Sequence, residues 1–339
     1  MLSRDGQGSR GGPTAVDIAQ AIAWSPDGAQ LAVATVGGPV LLIDGRSGHE
    51  AGRDPGHDGG ALAVGYSPDG EWLVSGGHDG RLRARGRDGC VTDVAAGDAP
   101  VDHIAWSPEG DCVASAAGAV VRVWSRELSL IAEVSGYEQP LSSLFWLPGT
   151  ELLMSACGRG LQLVDVGSDA FAERVDWPSV VVAARASSDG TRVAIGTEGR
   201  TVHVWHRQSG GNLQMSGYAA PVAALAWSPD HALLATGGGD TITMWSFAGR
   251  GPAGRVPGAL RGHDGRVTGI DFARDGRLVS CGDDGTVRVW SRHAAATMPS
   301  LAPRKVLSAG TPLFALAVSP DGTRVAAAAT GGGVHLWAL

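Results

Sequence analysis

A tight-turn signature, Ser-Pro-Asp-Gly or an eroded form of it, recurs along the chain. Its last residue falls at 28, 70, 110, 150, 190, 231, 276 and 322, giving spacings of 42, 40, 40, 40, 41, 45 and 46 residues. A fixed period of this size constrains a chain more than composition does. Each copy is one supersecondary unit that cannot bury its apolar face alone and must stack on its neighbours. Copies of about 40 residues made of short strands stack radially, as the blades of a propeller. Eight such copies account for all 339 residues, so the chain reads as one domain spanning 1–339.

The fullest copy is Leu260–Trp290, LRGHDGRVTGIDFARDGRLVSCGDDGTVRVW. Val267–Phe272, Leu278–Cys281 and Thr286–Trp290 carry β-branched or aromatic residues between Gly and Asp, and read as three strands. Arg274-Asp275-Gly276 and Asp283-Asp284-Gly285 supply hairpin turns, since Asp bonds its own backbone and Gly accepts positive φ.

The recurring AWSPDG (23–28), YSPDG (66–70), AWSPEG (105–110), AWSPD (226–230) and VSPDG (318–322), with VW or LW pairs starting at 123, 204, 289 and 336, resemble the WD-repeat β-propeller family. The segment ATGGGDTITMWSFAGRGPAG (235–254) resembles stand-alone bacterial members of that family. The family resemblance covers nearly the whole chain. It implies an all-β fold: a single eight-bladed propeller of four-stranded antiparallel blades, each taking its outer strand from the start of the next repeat. The last blade would then borrow a strand from the N-terminus, near Ser9–Pro13. SRGGP is a poor strand, and TAVDI (14–18) is the alternative; residues 1–18 are thus a weak closing strand or a disordered segment.

A net charge of −7 argues against a surface built for nucleic acid. No apolar run long enough for a signal peptide core or a membrane span occurs, so the expected setting is cytoplasmic, without membrane contact. Of the 27 Lys and Arg residues only Lys305 is lysine, which reads as the codon usage of a GC-rich bacterial genome. The four cysteines, at 90, 112, 157 and 281, lack metal-ligand spacing and are expected as reduced thiols.

The family's blades often hold an Asp, His, Ser and Trp that satisfy one another. The resemblance places His263, Ser280, Asp284 and Trp290 in that role, inside the blade, rather than as a nucleophilic triad. The second unit keeps His57, Ser75 and Asp79 but has Arg85 in place of Trp. Arg81, Arg83 and Arg85 project to one side of a strand. Either Asp79 pairs with Arg85 and the stems lie on the neighbouring blade, or the three form a basic groove for an acidic segment.

In the fourth, fifth and sixth units, Tyr137, Trp177 and Tyr218 take the His position. By the resemblance their loops open onto the narrow face, where partners dock. An arc of three amphipathic aromatics suits an interface core; alternatively each ring fills the volume of a lost His. Glu138, Arg159, Glu198 and Arg200 are the candidate rim. His57, Asp58, His78 and Asp79 cluster, but two of these belong to the buried pattern, so no metal is assigned.

Channel-facing positions, among them Asp102, Ser142, Thr268, Arg185 and Asp271, offer no convergent acids or His ring, and no phosphate-binding loop is present. The expected function is a non-catalytic, monomeric scaffold for a protein or peptide, without cofactor. The alternatives are a channel-centred metal-binding or enzymatic propeller, or an architectural subunit of a larger assembly.

Overall fold

The computed structural model describes residues 18–166, 170–249, 251–291 and 302–339, with backbone alone at 170–172. Among the described residues all regular structure is strand: seven antiparallel sheets of four strands and one of three form eight blades. Strands a to d run outward in chain order within each blade. In blade 1 they are Ala19–Trp24, Gln30–Thr35, Val40–Asp44 and Glu50–Asp54. In blade 7 strands a to c are Val267–Phe272, Leu278–Gly282 and Thr286–Trp290, within one residue of the sequence expectation. Blade 8 has three described strands, ending at Val334–Ala338. The expected closing strand, at Ser9–Pro13 or 14–18, lies outside the described residues except for Ile18, whose carbonyl accepts from Val36 N at 2.9 Å.

Strand b is the most buried in every blade, as in Gln30–Thr35 and Arg324–Ala329, because both its faces meet a neighbouring blade. Each of the eight seams holds its own apolar cluster. The seam between first and last blades is no exception: Ala19, Leu31, Val33, Leu41 and Ile43 pack on Ala326, Ala328 and Val334. Packing therefore closes the ring between blades 1 and 8.

The repeated turn explains its own sequence. Ser25 Oγ donates to Asp27 Oδ1 at 2.6 Å, Ala29 N donates to the same oxygen, and Gln30 N donates to Ser25 Oγ. Ser67–Asp69, Ser187–Asp189, Ser228–Asp230 and Ser319–Asp321 repeat this geometry. In blade 3 Glu109 replaces the Asp, and Ser107 turns to Asp111 instead. In blade 4 the left-handed residue is Gly149 (φ 69°), one before the expected anchor at 150; in blade 6 His231 adopts φ 49°.

Strand alternation sorts the loops. Turns a–b and c–d emerge on one face, while b–c turns and d-to-a crossings emerge on the other. Eight a strands surround a central channel of about 490 Å³.

Candidate functional site

Blade 7 holds a complete buried relay. Trp290 Nε1 donates to Ser280 Oγ at 2.9 Å, His263 Nε2 meets the same hydroxyl at 2.8 Å, and His263 Nδ1 meets Asp284 Oδ2 at 2.9 Å. Trp290 and Ser280 are fully buried and His263 nearly so. Burial pushes the His263 imidazole below its ordinary value, with Asp284 opposing. Its groups satisfy one another inside the blade, so the arrangement is structural.

Blade 2 keeps three members, with His57 Nδ1 on Asp79 Oδ1 and Nε2 on Ser75 Oγ, both at 2.9 Å. Arg85 does not pair with Asp79 as the sequence suggested. Asp79 is taken by His57 and by the Asp58 and Arg81 amides, and Arg85 reaches Asp54 of blade 1 at 3.7 Å. Arg81 and Arg83 share Asp93, at 2.6 and 3.4 Å. The proposed basic groove is thus threaded with carboxylates. Where the Trp is missing, the seam opens into a cavity of about 350 Å³ lined by Leu42, Tyr66, Leu73 and Arg85.

The aromatic arc is turned inward. Tyr137 is 6% exposed and its hydroxyl meets Ser155 Oγ at 2.9 Å; Tyr218 is half-buried, its hydroxyl meeting Thr236 Oγ1 at 2.8 Å and accepting from Trp245 Nε1 at 2.8 Å. Both phenols reproduce the His–Ser contact of blade 7 with a longer ring, and burial pushes both hydroxyls up to about 12. As free-standing docking anchors the two tyrosines are unavailable, because their polar ends are spent inside the blade.

Trp177 differs. Its ring is 6% exposed and tilts against His203 at a centroid distance of 5.1 Å, yet its Nε1 has no partner among the described residues. Gln162, 4% exposed on strand c of blade 4, has an equally unpartnered Oε1. Both residues lie at one cavity of about 420 Å³, with Glu138, Gln139, Cys157, Arg159, Arg174 and Asp176 around it. Buried polar groups without partners are rare and each is costly.

The cavity opens on the face of the b–c turns. Glu138 enters from the crossing into blade 4, Arg159 from the b–c turn of blade 4, and Glu198 and Arg200 from that of blade 5; all four are exposed. Arg174 lies between Asp176 Oδ1 (2.8 Å) and Glu138 Oε1 (4.0 Å), while Arg159 donates to the Pro178 carbonyl. Sequence reading named Glu138, Arg159 and Trp177 but missed Gln162, Arg174 and Asp176. The signal available was a lone Gln in GLQLV (160–164), whose neighbours on the strand are apolar.

The channel holds one enclosed acid and one enclosed base. Asp271 accepts from Phe272 N at 2.8 Å and, across the seam, from Val318 N at 3.0 Å; burial raises its carboxyl. Burial likewise lowers Arg185, whose side chain lines the channel. Asp102 pairs with His103 at 2.9 Å. Among the described residues no three His, Cys, Asp or Glu side chains converge as a metal site. All four cysteines are free, Cys90 exposed and Cys157 and Cys281 buried. No helix among the described residues is long and apolar enough to cross a membrane.

Four stretches, 50–84, 88–125, 211–246 and 254–291, match the WD domain, G-beta repeat family; together they cover less than half of the chain. An uncharacterized WD repeat-containing protein, sll1491, of Synechocystis sp. is 30% identical over 149 residues, 42% of this chain and 42% of that protein. The SIR4-interacting protein SIF2 of Saccharomyces cerevisiae is 23% identical over 258 residues, 70% of this chain and 46% of that protein. The chain spans about half or less of the length of these curated relatives. Among solved structures, Chaetomium thermophilum Sqt1 superposes with a TM-score of 0.83 at 20% identity, over 97% of this chain and 98% of that one. Sqt1 bound to the N-terminus of the ribosomal protein L10 gives 0.81 at 19% identity, over 97% and 100%. At these identities the likeness is one of fold.

Proposed function

We propose that this eight-bladed propeller, with WD-type repeats in four of its stretches, is a non-catalytic scaffold that docks a protein or peptide on the b–c face over blades 4 and 5. The carrying observation is the cavity beside Trp177, where two buried polar atoms lack protein partners on the same face as an exposed, mixed-charge rim. A closed fold has little reason to keep such atoms unless something else satisfies them. Glu138, Arg159, Glu198 and Arg200 would orient the partner and set its rate of encounter more than its affinity. At the level of fold, Sqt1 in complex with a ribosomal-protein N-terminus supports the use of this architecture for peptide capture. In the channel Asp271 is held by the amide of its own neighbour Phe272 and, across the seam, by that of Val318, a structural task that favours the scaffold over a channel-centred enzyme. The expected working form is a cytoplasmic monomer.

Photo-cross-linking tests the reading. A photoreactive side chain at 138 or 198 reports one face, and at 69 or 321 the other. Capture of one defined species from the first pair alone, lost when Arg159→Glu and Arg200→Glu are combined, is the expected result. Equal capture from both faces would sink the proposal.

A further inference from the structure

We infer that the cavity in the seam between blades 1 and 2 is a binding site for a neutral, planar aromatic ring of indole size, seated where blade 7 places its own Trp290. The cavity opens between the a–b turns, on the face opposite the proposed docking surface, and does not depend on that surface. The chemistry of its occupant is written in the repeat. Cross-strand register makes Arg85, opposite Leu73, the counterpart of Trp290, opposite Leu278. Around Trp290 pack Leu233 and Met244 from blade 6, and Phe272 and Leu278 from blade 7. The same four positions in blades 1 and 2 are Gln30, Leu42, Tyr66 and Leu73, and all four stand at the cavity. The walls that enclose an indole in blade 7 are therefore repeated here around an arginine. At about 350 Å³ the space is ample, since an apolar cavity of roughly 150 Å³ holds a benzene ring.

The polar groups suit the same ligand. The 3.7 Å pair of Arg85 with Asp54 is longer than a hydrogen bond, so its flat guanidinium is free to lie on a ring face. Tyr66 donates its hydroxyl to Gln30 Oε1 at 3.3 Å, and both oxygens keep a lone pair for a ring N–H. Burial pushes the Tyr66 hydroxyl up, so it stays neutral. The carboxylates at the mouth are already engaged: Asp27 by Ser25 and the Ala29 amide, Asp69 by Ser67 and Arg126, and Glu71 by Arg87. A ligand charge of either sign would meet acids and bases together, which leaves the ring itself as the recognised feature.

Titration of the full chain, carrying ¹³C-methyl leucine, with indole, N-acetyltryptophanamide and cyclohexanol tests this. Indole is expected to shift the Leu42 and Leu73 methyl resonances saturably and to give NOEs to both. It should leave Leu278 untouched, because Trp290 already fills the equivalent place there. Cyclohexanol, of similar size but not planar, should produce no such shift. A response to N-acetyltryptophanamide as well assigns the ring to a Trp side chain of a partner, and a response to indole alone assigns it to a free small aromatic. Arg85→Trp puts an indole into the cavity from within and is expected to abolish the response. The NOEs in the unaltered chain locate the site even where that variant fails to fold. No saturable shift with indole would mean that water fills the cavity, and it overturns the inference. So would NOEs to other leucines only, equal binding of cyclohexanol, or undiminished binding in a folded Arg85→Trp.

Discussion

Trp24 Nε1 donates to the carbonyl of Ala317 at 3.1 Å, joining strand a of blade 1 to strand a of blade 8 across 293 residues of chain. The same bond recurs at other seams, from Trp106 to Gly65, Trp146 to Ala105 and Trp227 to Arg185, at 3.2, 2.9 and 3.2 Å. The Trp of AWSP, and Trp146 of FWLP in blade 4, is therefore an inter-blade clasp, and at the 8/1 seam it closes the ring.

Trp24→Phe keeps the ring's bulk and removes the donor, so it should destabilise the fold by about 1 kcal/mol. Because the loss falls on the seam between the first and last blades, held among the described residues by side-chain packing and this bond, it should also speed native-state hydrogen exchange at the edges of blades 1 and 8. Trp146→Phe, at a covalently continued seam, is the control. Equal exchange in both variants would show that the clasp does not govern closure.

Trp290→Ala removes a fully buried indole and the donor to Ser280, and should cost roughly 3–5 kcal/mol by urea denaturation. Trp177→Phe, which leaves the seam packed and discards an unpartnered N–H, should cost less than about 1 kcal/mol. Comparable losses would mean that Trp177 is bonded in solution.

Arg85→Trp would place an indole where six-membered and five-membered rings already serve blades 3, 5, 6, 7 and 8, at Trp124, Trp205, Trp245, Trp290 and Trp337. It should fill part of the 350 Å³ cavity and offer Ser75 the donor that completes the blade 2 relay. The gain expected is about 1 kcal/mol, net of the Asp54 contact. A loss of stability would show that the arginine is held by more than its 3.7 Å pair.

Acid should lower the stability of the fold in two stages. Burial lowers the His263 imidazole below its ordinary 6.5, so on acidification the unfolded chain takes a proton that the folded one refuses, and stability declines below that pH. The second stage belongs to the turn carboxylates. Hydrogen bonds from Ser319 and Thr323 hold Asp321 down to about 2, and against the opposing effect of burial those from Ser187 and Thr191 bring Asp189 to about 2. Their stabilisation is complete above 3.8 and is lost as the pH falls through the folded value. Asp321→Asn keeps the acceptor oxygen for Ser319 and should flatten the stability profile in that lower window only. An unchanged slope there would remove Asp321 from the account.

The architecture was legible in the sequence because its causes are local. Turn chemistry such as Ser25–Asp27 repeats in five copies, strand alternation and a period near 40 run through all eight, and a unit with one apolar face permits only stacking. The blade 7 relay was legible for the same reason, as its four residue types stand at family spacing. What the residues near Trp177 do was not. Tyr137, Trp177 and Tyr218 hold the same place in three repeats, yet two phenols reach a Ser or Thr while the indole finds nothing. That outcome depends on ring length and on which group faces it from another strand, which only packing decides. Arg85 passing over Asp79 to reach Asp54, and the Gln162 Oε1 left without a partner, belong with it: each depends on which segments meet in space, and separation in sequence carries no signal of that.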